Sequence, residues 1–285
     1  MNTYFKFLII MAICTNISVQ ANGDKQQKQL SFVQNIAVGS AVGVAEVAFP
    51  GQPLSYMANK VVQGHTIARN PMHWYKGGIP NAAGIAPITA IQKVANAQAT
   101  SWVKTAQGAE LSDAQKVAVG FGAGVAGAVA ATPQEAISIY MQNNTRATMA
   151  QSVQELKWRA WRGFGPTATR EGLFTAGYQA VEPMMQQMTK SAMGDTAAAG
   201  LAGSVTTGVV VAIASQPFAV VKTLMQSDPS KTQYKNSFDT ACQIYSKDGV
   251  KGFFKGGAAR GTRVAIAVPL YAYYTKEFTQ VIQNK

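Results

Sequence analysis

Acidic residues are scarce in this 285-residue sequence, 13 Asp and Glu against 25 Lys and Arg, and charge of either sign makes up only 13% of it. So thin a polar surface argues against an ordinary soluble domain and against a disordered chain. There are only two cysteines, Cys14 and Cys242, and two histidines, His65 and His73. Neither pair has metal-ligand spacing or the partners of a disulfide framework, so no metal or cofactor is expected. Gly120-Phe121-Gly122-Ala123-Gly124 has the letters of a dinucleotide loop but lies inside an apolar run with no strand before it, where helix packing is the better reading. No enzyme motif remains, and the chain is not expected to be an enzyme.

What the sequence has in abundance is apolar length. Residues 197–221 and 117–134 carry no charge at all, and 30–45 form a third such run. As helix, the two longer runs reach across about 30 Å of hydrocarbon. Three further stretches, 80–105, 166–188 and 260–281, are apolar but punctuated by Lys93, Arg170, Glu171, Glu182 and Arg263. A charge inside a span is costly unless it faces water or protein, so these helices are expected to line a wet cavity. The net charge of +12 is concentrated in three segments, 63–79, 143–162 and 227–256, which hold 2, 4 and 5 Lys and Arg. That placement follows the positive-inside rule and suits contact with anionic lipid headgroups, cardiolipin among them. Nucleic acid is not an expected partner, because no aromatic-basic module accompanies the charge.

One pattern recurs along the chain. Pro217 sits in an apolar run with Lys222 five and Gln226 nine residues later, then a polar segment with Asp248-Gly249, then Phe254-Lys255-Gly256 and the pair Arg260 and Arg263. Upstream, Pro133, Glu135 and Gln142 answer to the first part and Trp161-Arg162-Gly163 to the second; earlier still, Pro53 precedes Tyr75-Lys76-Gly77. A period of roughly 80–95 residues means three copies of one unit, at 30–108, 110–193 and 196–285. Pro53, Pro133 and Pro217 are expected to kink their helices, as is Pro87, because proline removes a backbone donor. Gly39 and Gly43 have the spacing of a close helix contact. Residues 1–21, with Lys6 before an apolar 7–13 and Val19-Gln20-Ala21, read either as a short secretory signal or as a loosely ordered N-terminus.

Three tandem two-span units, each with a proline near the end of its first helix and an aromatic-basic-glycine before its second, resemble the mitochondrial carrier family. The resemblance covers 30–285 and is carried most strongly by Asp248-Gly249 with Phe254-Lys255-Gly256, by Gly84-Ile85-Ala86-Pro87, and by the threefold recurrence itself. It implies an all-α membrane protein: six transmembrane helices in three tandem two-helix repeats with pseudo-threefold symmetry around a cavity that opens alternately to either side. It also implies a mitochondrial inner membrane location, and the first 21 residues leave room for a bacterially or parasite-encoded protein that reaches a host's mitochondria. A monomer is expected.

The family's inner gate places an acid two residues and a base five residues after each proline. Here those positions hold Ser55, Glu135 and Ala219, and Ala58, Ser138 and Lys222, so Glu135–Lys222 is the one pair that survives. Gln142 and Gln226 match the glutamines that brace such pairs, whereas Gln63 is one residue out of register. At the outer gate stand Asn96, Glu182 and Thr275 without bases. Counting seven residues from Gly77, Gly163 and Gly256 gives Gly84, Arg170 and Arg263 as the family's substrate contacts; the Arg170-Glu171 pair there resembles carriers of amino acids or related zwitterions. Independently of the family, Glu46 lies on nearly the same helical face as Pro53, where a lipid-facing carboxylate would be expensive, which points it to the cavity. A guanidinium for a carboxylate and a carboxylate for an ammonium would suit a small zwitterion. The alternatives are a nucleotide exchanger of the same fold, a carrier-like scaffold without transport, and mutual neutralisation of Arg170 and Glu171.

Overall fold

The computed structural model describes residues 32–283, which belong to one compact unit. The possible leader at 1–21, with Cys14, lies outside the described residues. Every regular element among those residues is helical. Six long rods account for most of the chain. The first is α1 (Phe32–Glu46) joined through a wide π-type turn (Val47–Gly51) to α2 (Gln52–Gln63), the second α3 (Gly78–Gln107), and the third α4 (Asp113–Asn143). A short α5 (Met149–Leu156) precedes the fourth rod, in which α6 (Phe164–Ala176) runs through a second wide turn (Gly177–Val181) into α7 (Glu182–Met193). Then come α8 (Ala197–Ser227), a short α9 (Ser237–Asp248) and α10 (Gly257–Gln283). Of these, α4 and α8 are long and apolar enough to cross a membrane by length and composition.

Each rod packs on its neighbours in chain order, and α10 returns to α1 and α2, so the six close into a ring. At one end α2 and α4 both lean on α8. Small residues set the spacing: a Cβ on Gly124 of α4 would run into the backbone of Glu171 and Gly172 on α6, and one on Gly43 would lie 2.8 Å from Ile85 of α3. Such close backbone approach is the usual means of packing helices where lipid removes the hydrophobic drive.

The same local contact occurs three times. Gly77, Gly163 and Gly256 all have positive φ (79°, 77° and 73°), and the helix after each begins there. Each lies against the residue five after a proline: Gly77 on Ser138, Gly163 on Lys222, and Gly256 on Ala58. A left-handed residue at that junction needs glycine, which explains the third letter of the aromatic-basic-glycine triplet. Gln52 and Gln216, each directly before a proline, donate to the Lys76 and Lys255 carbonyls at 2.5 and 2.7 Å and tie the first helix of a unit to the start of its second.

The prolines behave unequally. In the first rod the backbone leaves helical geometry at Phe49 (φ −161°, ψ 126°), just before Pro50, while Pro53 is the second residue of α2. Its missing N–H is one that the first turn of a helix cannot pair anyway. Pro87, Pro133 and Pro217 lie within continuous helices.

Two of the three basic segments contain an α-helix of their own, and the first contains a short 3-10 turn (Pro71–Tyr75). Thr148 and Gln151 form a reciprocal capping box that starts α5, and Asn236 caps α9. After α8, Asp228 accepts from the backbone N–H groups of Thr232, Gln233 and Tyr234. Arg162 reaches into the same corner, donating to the carbonyls of Met225 and Tyr234.

Candidate functional site

The break in the first rod positions an acid. Glu46 ends α1, and its carboxylate folds back over the wide turn to where a Cβ on Gly51 would stand, 2.5 Å from Oε1. Only glycine leaves that room. From across the ring Arg263 of α10 grips this carboxylate with both arms, Nε to Oε1 at 2.8 Å and Nη2 to Oε2 at 2.9 Å, while Nη1 donates to Ser55 at 3.0 Å. A bidentate fork of this kind is among the stronger side-chain contacts. Glu46 and Arg263, two residues expected to meet a solute separately, therefore meet each other.

A second cluster centres on Glu135. One oxygen accepts Lys222 of α8 at 2.9 Å and the other Arg170 of α6 at 2.6 Å. Arg170 is at the same time ion-paired with its neighbour Glu171. The other oxygen of Glu171 accepts from Gln92 of α3 at 3.2 Å, and the Gln92 carbonyl accepts from the Tyr178 hydroxyl at 2.9 Å. Lys222, Glu135, Arg170, Glu171, Gln92 and Tyr178 thus form one chain of contacts across the bundle.

Arg260 is different. Its Nη1 donates to Gln216 at 3.3 Å and its Nη2 to Thr223 at 3.1 Å, with Asn59 at the outer limit of 3.5 Å. All three are neutral. Among the described residues no carboxylate lies within ion-pair distance of it, although Arg170, Glu135 and Arg263 are near enough to act on it electrostatically. The mid-bundle set is therefore four cations, Arg170, Lys222, Arg260 and Arg263, against three acids, Glu46, Glu135 and Glu171. A half-buried guanidinium with only neutral hydrogen-bond acceptors is poised for an anion. Sequence reasoning stopped at Arg263 because of its offset from Gly256. Arg260 stands one turn earlier on the same face, and the imbalance of bases over acids was the available signal.

Other expected residues have other surroundings. The space in front of Gly84 is filled by Gln134, which also donates to Asn81. Gln142 accepts from Asn59 at 3.0 Å, and Gln226 donates to the carbonyls of Thr132 and Arg162 at 3.3 Å, so each joins helices beside the Glu135–Lys222 pair without bonding to it. Glu182 accepts from Ser204 at 2.6 Å and Gln186 at 3.0 Å. The side chain of Thr275 lies outside the described residues. Lys60, which the sequence did not single out, donates to Asn143 at 2.9 Å.

A ring of helices around a cluster of charges is compatible with a membrane carrier, and comparison with known proteins supports that reading. The model of the mitochondrial carrier protein family matches residues 193–285, the third unit, where the sequence motifs are most complete. The chain is 25% identical over 274 residues to mitochondrial citrate transporter A of Aspergillus niger, covering 87% of this chain and 91% of that protein. It is 25% identical over 262 residues to a tricarboxylate transporter of Gibberella moniliformis, covering 82% and 84%. A glutamate/glycine mitochondrial carrier of Schizosaccharomyces pombe shares 32% identity over 126 residues, 40% of this chain and 42% of that one. These similarities support membership of the mitochondrial carrier family and a role as a solute carrier.

Proposed function

We infer that this carrier moves a small carboxylate-bearing metabolite across the mitochondrial inner membrane by alternating access, through six spans arranged as three pseudo-symmetric repeats. The observation that carries the substrate class is Arg260, a mid-bundle cation with neutral partners in a site whose acids are all engaged. A carboxylate arriving there supplies the missing charge and gains a charge-assisted hydrogen bond of about 1.5–3 kcal/mol. The names of the citrate and tricarboxylate relatives point the same way. The threefold glycine contact and the closed ring of rods support the repeat architecture. The basic segments around α5 and α9 suit anionic lipid on one side of the membrane, and the protein works as a monomer.

An amino acid brings the same carboxylate to Arg260, but its ammonium finds Glu171 holding Arg170 with one oxygen and Gln92 with the other. A nucleotide would bring several negative charges to a site whose cations outnumber its acids only four to three. Uptake into liposomes of plain carboxylates, amino acids and nucleotides tests the reading. Arg260→Ala is expected to weaken carboxylate uptake about 10- to 100-fold, one charge-assisted hydrogen bond. Nucleotide exchange that rises in Glu171→Gln, with no carboxylate uptake by the unmutated protein, would favour the nucleotide exchanger; no uptake of any solute would favour a scaffold.

A further inference from the structure

Gln92 is only 6% exposed and takes part in neither gate. It enters the site over Gly127 of α4, where an added Cβ would stand 2.5 Å from its Cγ, so the small residue at 127 is what admits it. Its amide has one consistent orientation. The carbonyl takes the Tyr178 hydroxyl and the NH2 faces Glu171; turned over, the carbonyl would confront a carboxylate. Tyr178 hangs from the second wide turn and is 46% exposed, so it reaches Gln92 from the open side. Between them, Arg170 and Gln92 occupy both oxygens of Glu171.

We propose that Gln92, held by Tyr178, is a specificity-determining residue: by occupying the second oxygen of Glu171 it denies that carboxylate to a substrate ammonium and biases the carrier toward carboxylates that lack one. The inference rests on the reading that Arg260 binds a carboxylate. With Gln92 in place an ammonium must displace either a guanidinium or an amide from Glu171. Without it one oxygen is open, and the same cavity accepts a zwitterion. Selection therefore works by obstruction as well as attraction.

Succinate and aspartate, identical but for one ammonium, are the probes. Proteoliposome uptake and ligand-induced thermal stabilisation are measured for the unmutated protein, Gln92→Met and Tyr178→Phe. The unmutated protein should prefer succinate. Gln92→Met, similar in length but without a donor, should raise the aspartate-to-succinate ratio roughly tenfold, the size of one charge-assisted hydrogen bond. Tyr178→Phe keeps the packing, releases the amide, and should move the ratio the same way by a smaller factor, which preserves the test if Gln92→Met folds poorly. Both substrates falling together at a fixed ratio in either folded variant would reduce Gln92 to packing and overturn the proposal while leaving the Arg260 reading intact. Unmutated protein that neither transports nor is stabilised by either probe would overturn both.

Discussion

The contact between α4 and α8 and the contact between α2 and α4 occupy corresponding places in successive units, yet one is ionic and the other is not. At the first, Glu135 and Lys222 meet at 2.9 Å. At the second, the same offsets hold Ser55 and Ser138; Ser55 is turned to Arg263 and Ser138 donates to the Gly77 carbonyl. The helices there are joined further along by neutral acceptors: Asn59 donates to Gln142 at 3.0 Å and Lys60 to Asn143 at 2.9 Å. The lesson is that a closing contact needs matched hydrogen bonds at the interface, and charge is one way to supply them. An amide pair loses less on leaving water than an ion pair does, so each partner is also less dependent on the other.

The largest difference should appear when single partners are removed. Glu135→Gln leaves Lys222 buried without its acid and is expected to cost about 3–5 kcal/mol, the penalty of an unpaired buried charge, whereas Lys222→Ala leaves Glu135 its contact with Arg170 and should cost less, about 2–3 kcal/mol. Thermal unfolding would read this, and exchanging the two residues should recover part of the loss. A double exchange no better than either single change would mean that the pair does not act as a unit.

Asn59→Ala probes the neutral interface. It removes the hydrogen bond to Gln142 and the long one from Arg260, for a loss of about 1–2 kcal/mol and no stranded carboxylate. Should Asn59→Ala cost as much as Lys222→Ala in the same unfolding assay, the contrast between the two interfaces fails.

Rebuilding an ion pair sharpens the contrast from the other side. Ser55→Asp with Ser138→Lys restores both charges between α2 and α4, where Lys222 already shows that a lysine can pass beside the corresponding glycine. The double variant should hold one closed state more firmly, by about 1 kcal/mol or less, and slow exchange several-fold. Ser138→Lys alone should be less stable than the double variant. Equal exchange rates in the double variant and the unmutated protein would show that charge is irrelevant at this interface.

The smallest effect concerns the corner beyond α8. Burial alone would raise the Asp228 carboxyl, but the N–H groups of Tyr234, Gln233 and Thr232 and the Thr232 hydroxyl outweigh it and hold the group below its ordinary value. A depressed folded-state value means that the stabilisation is present above the unfolded carboxyl range and is lost as pH falls through the folded one. Asp228→Asn should lower the unfolding temperature slightly at pH 7, and the gap should close below about pH 4. A gap that widens in acid would contradict this.

Much of the molecule was legible because its cues are local. Proline and glycine impose backbone restrictions wherever they stand, so Pro53, Pro133 and Pro217 with Gly77, Gly163 and Gly256 marked the recurring pattern, and the family resemblance supplied the offsets that pair Glu135 with Lys222. The break at Phe49 was less legible: two nearby prolines, Pro50 and Pro53, compete for it, and only packing around Glu46 and Gly51 distinguishes them. The helices α5 and α9 were not foreseen, because the polar composition of the segments that hold them lacks the apolar periodicity of a core helix.

The sequence by itself determined that one pattern of prolines, glycines and charges recurs along the chain and which charges share a helix face, because spacing between residues on one helix is fixed by helical geometry. Only the tertiary structure decided which of those charges are already satisfied. Arg263 and Glu46 are 217 residues apart and Arg260 and Gln216 are 44 apart. Which helix faces which across the ring, and a wide turn that folds Glu46 back, settle that among the described residues Arg263 has an acid and Arg260 has none. Pairing across a bundle depends on the relative rotation of whole helices, a quantity that no spacing along one helix contains.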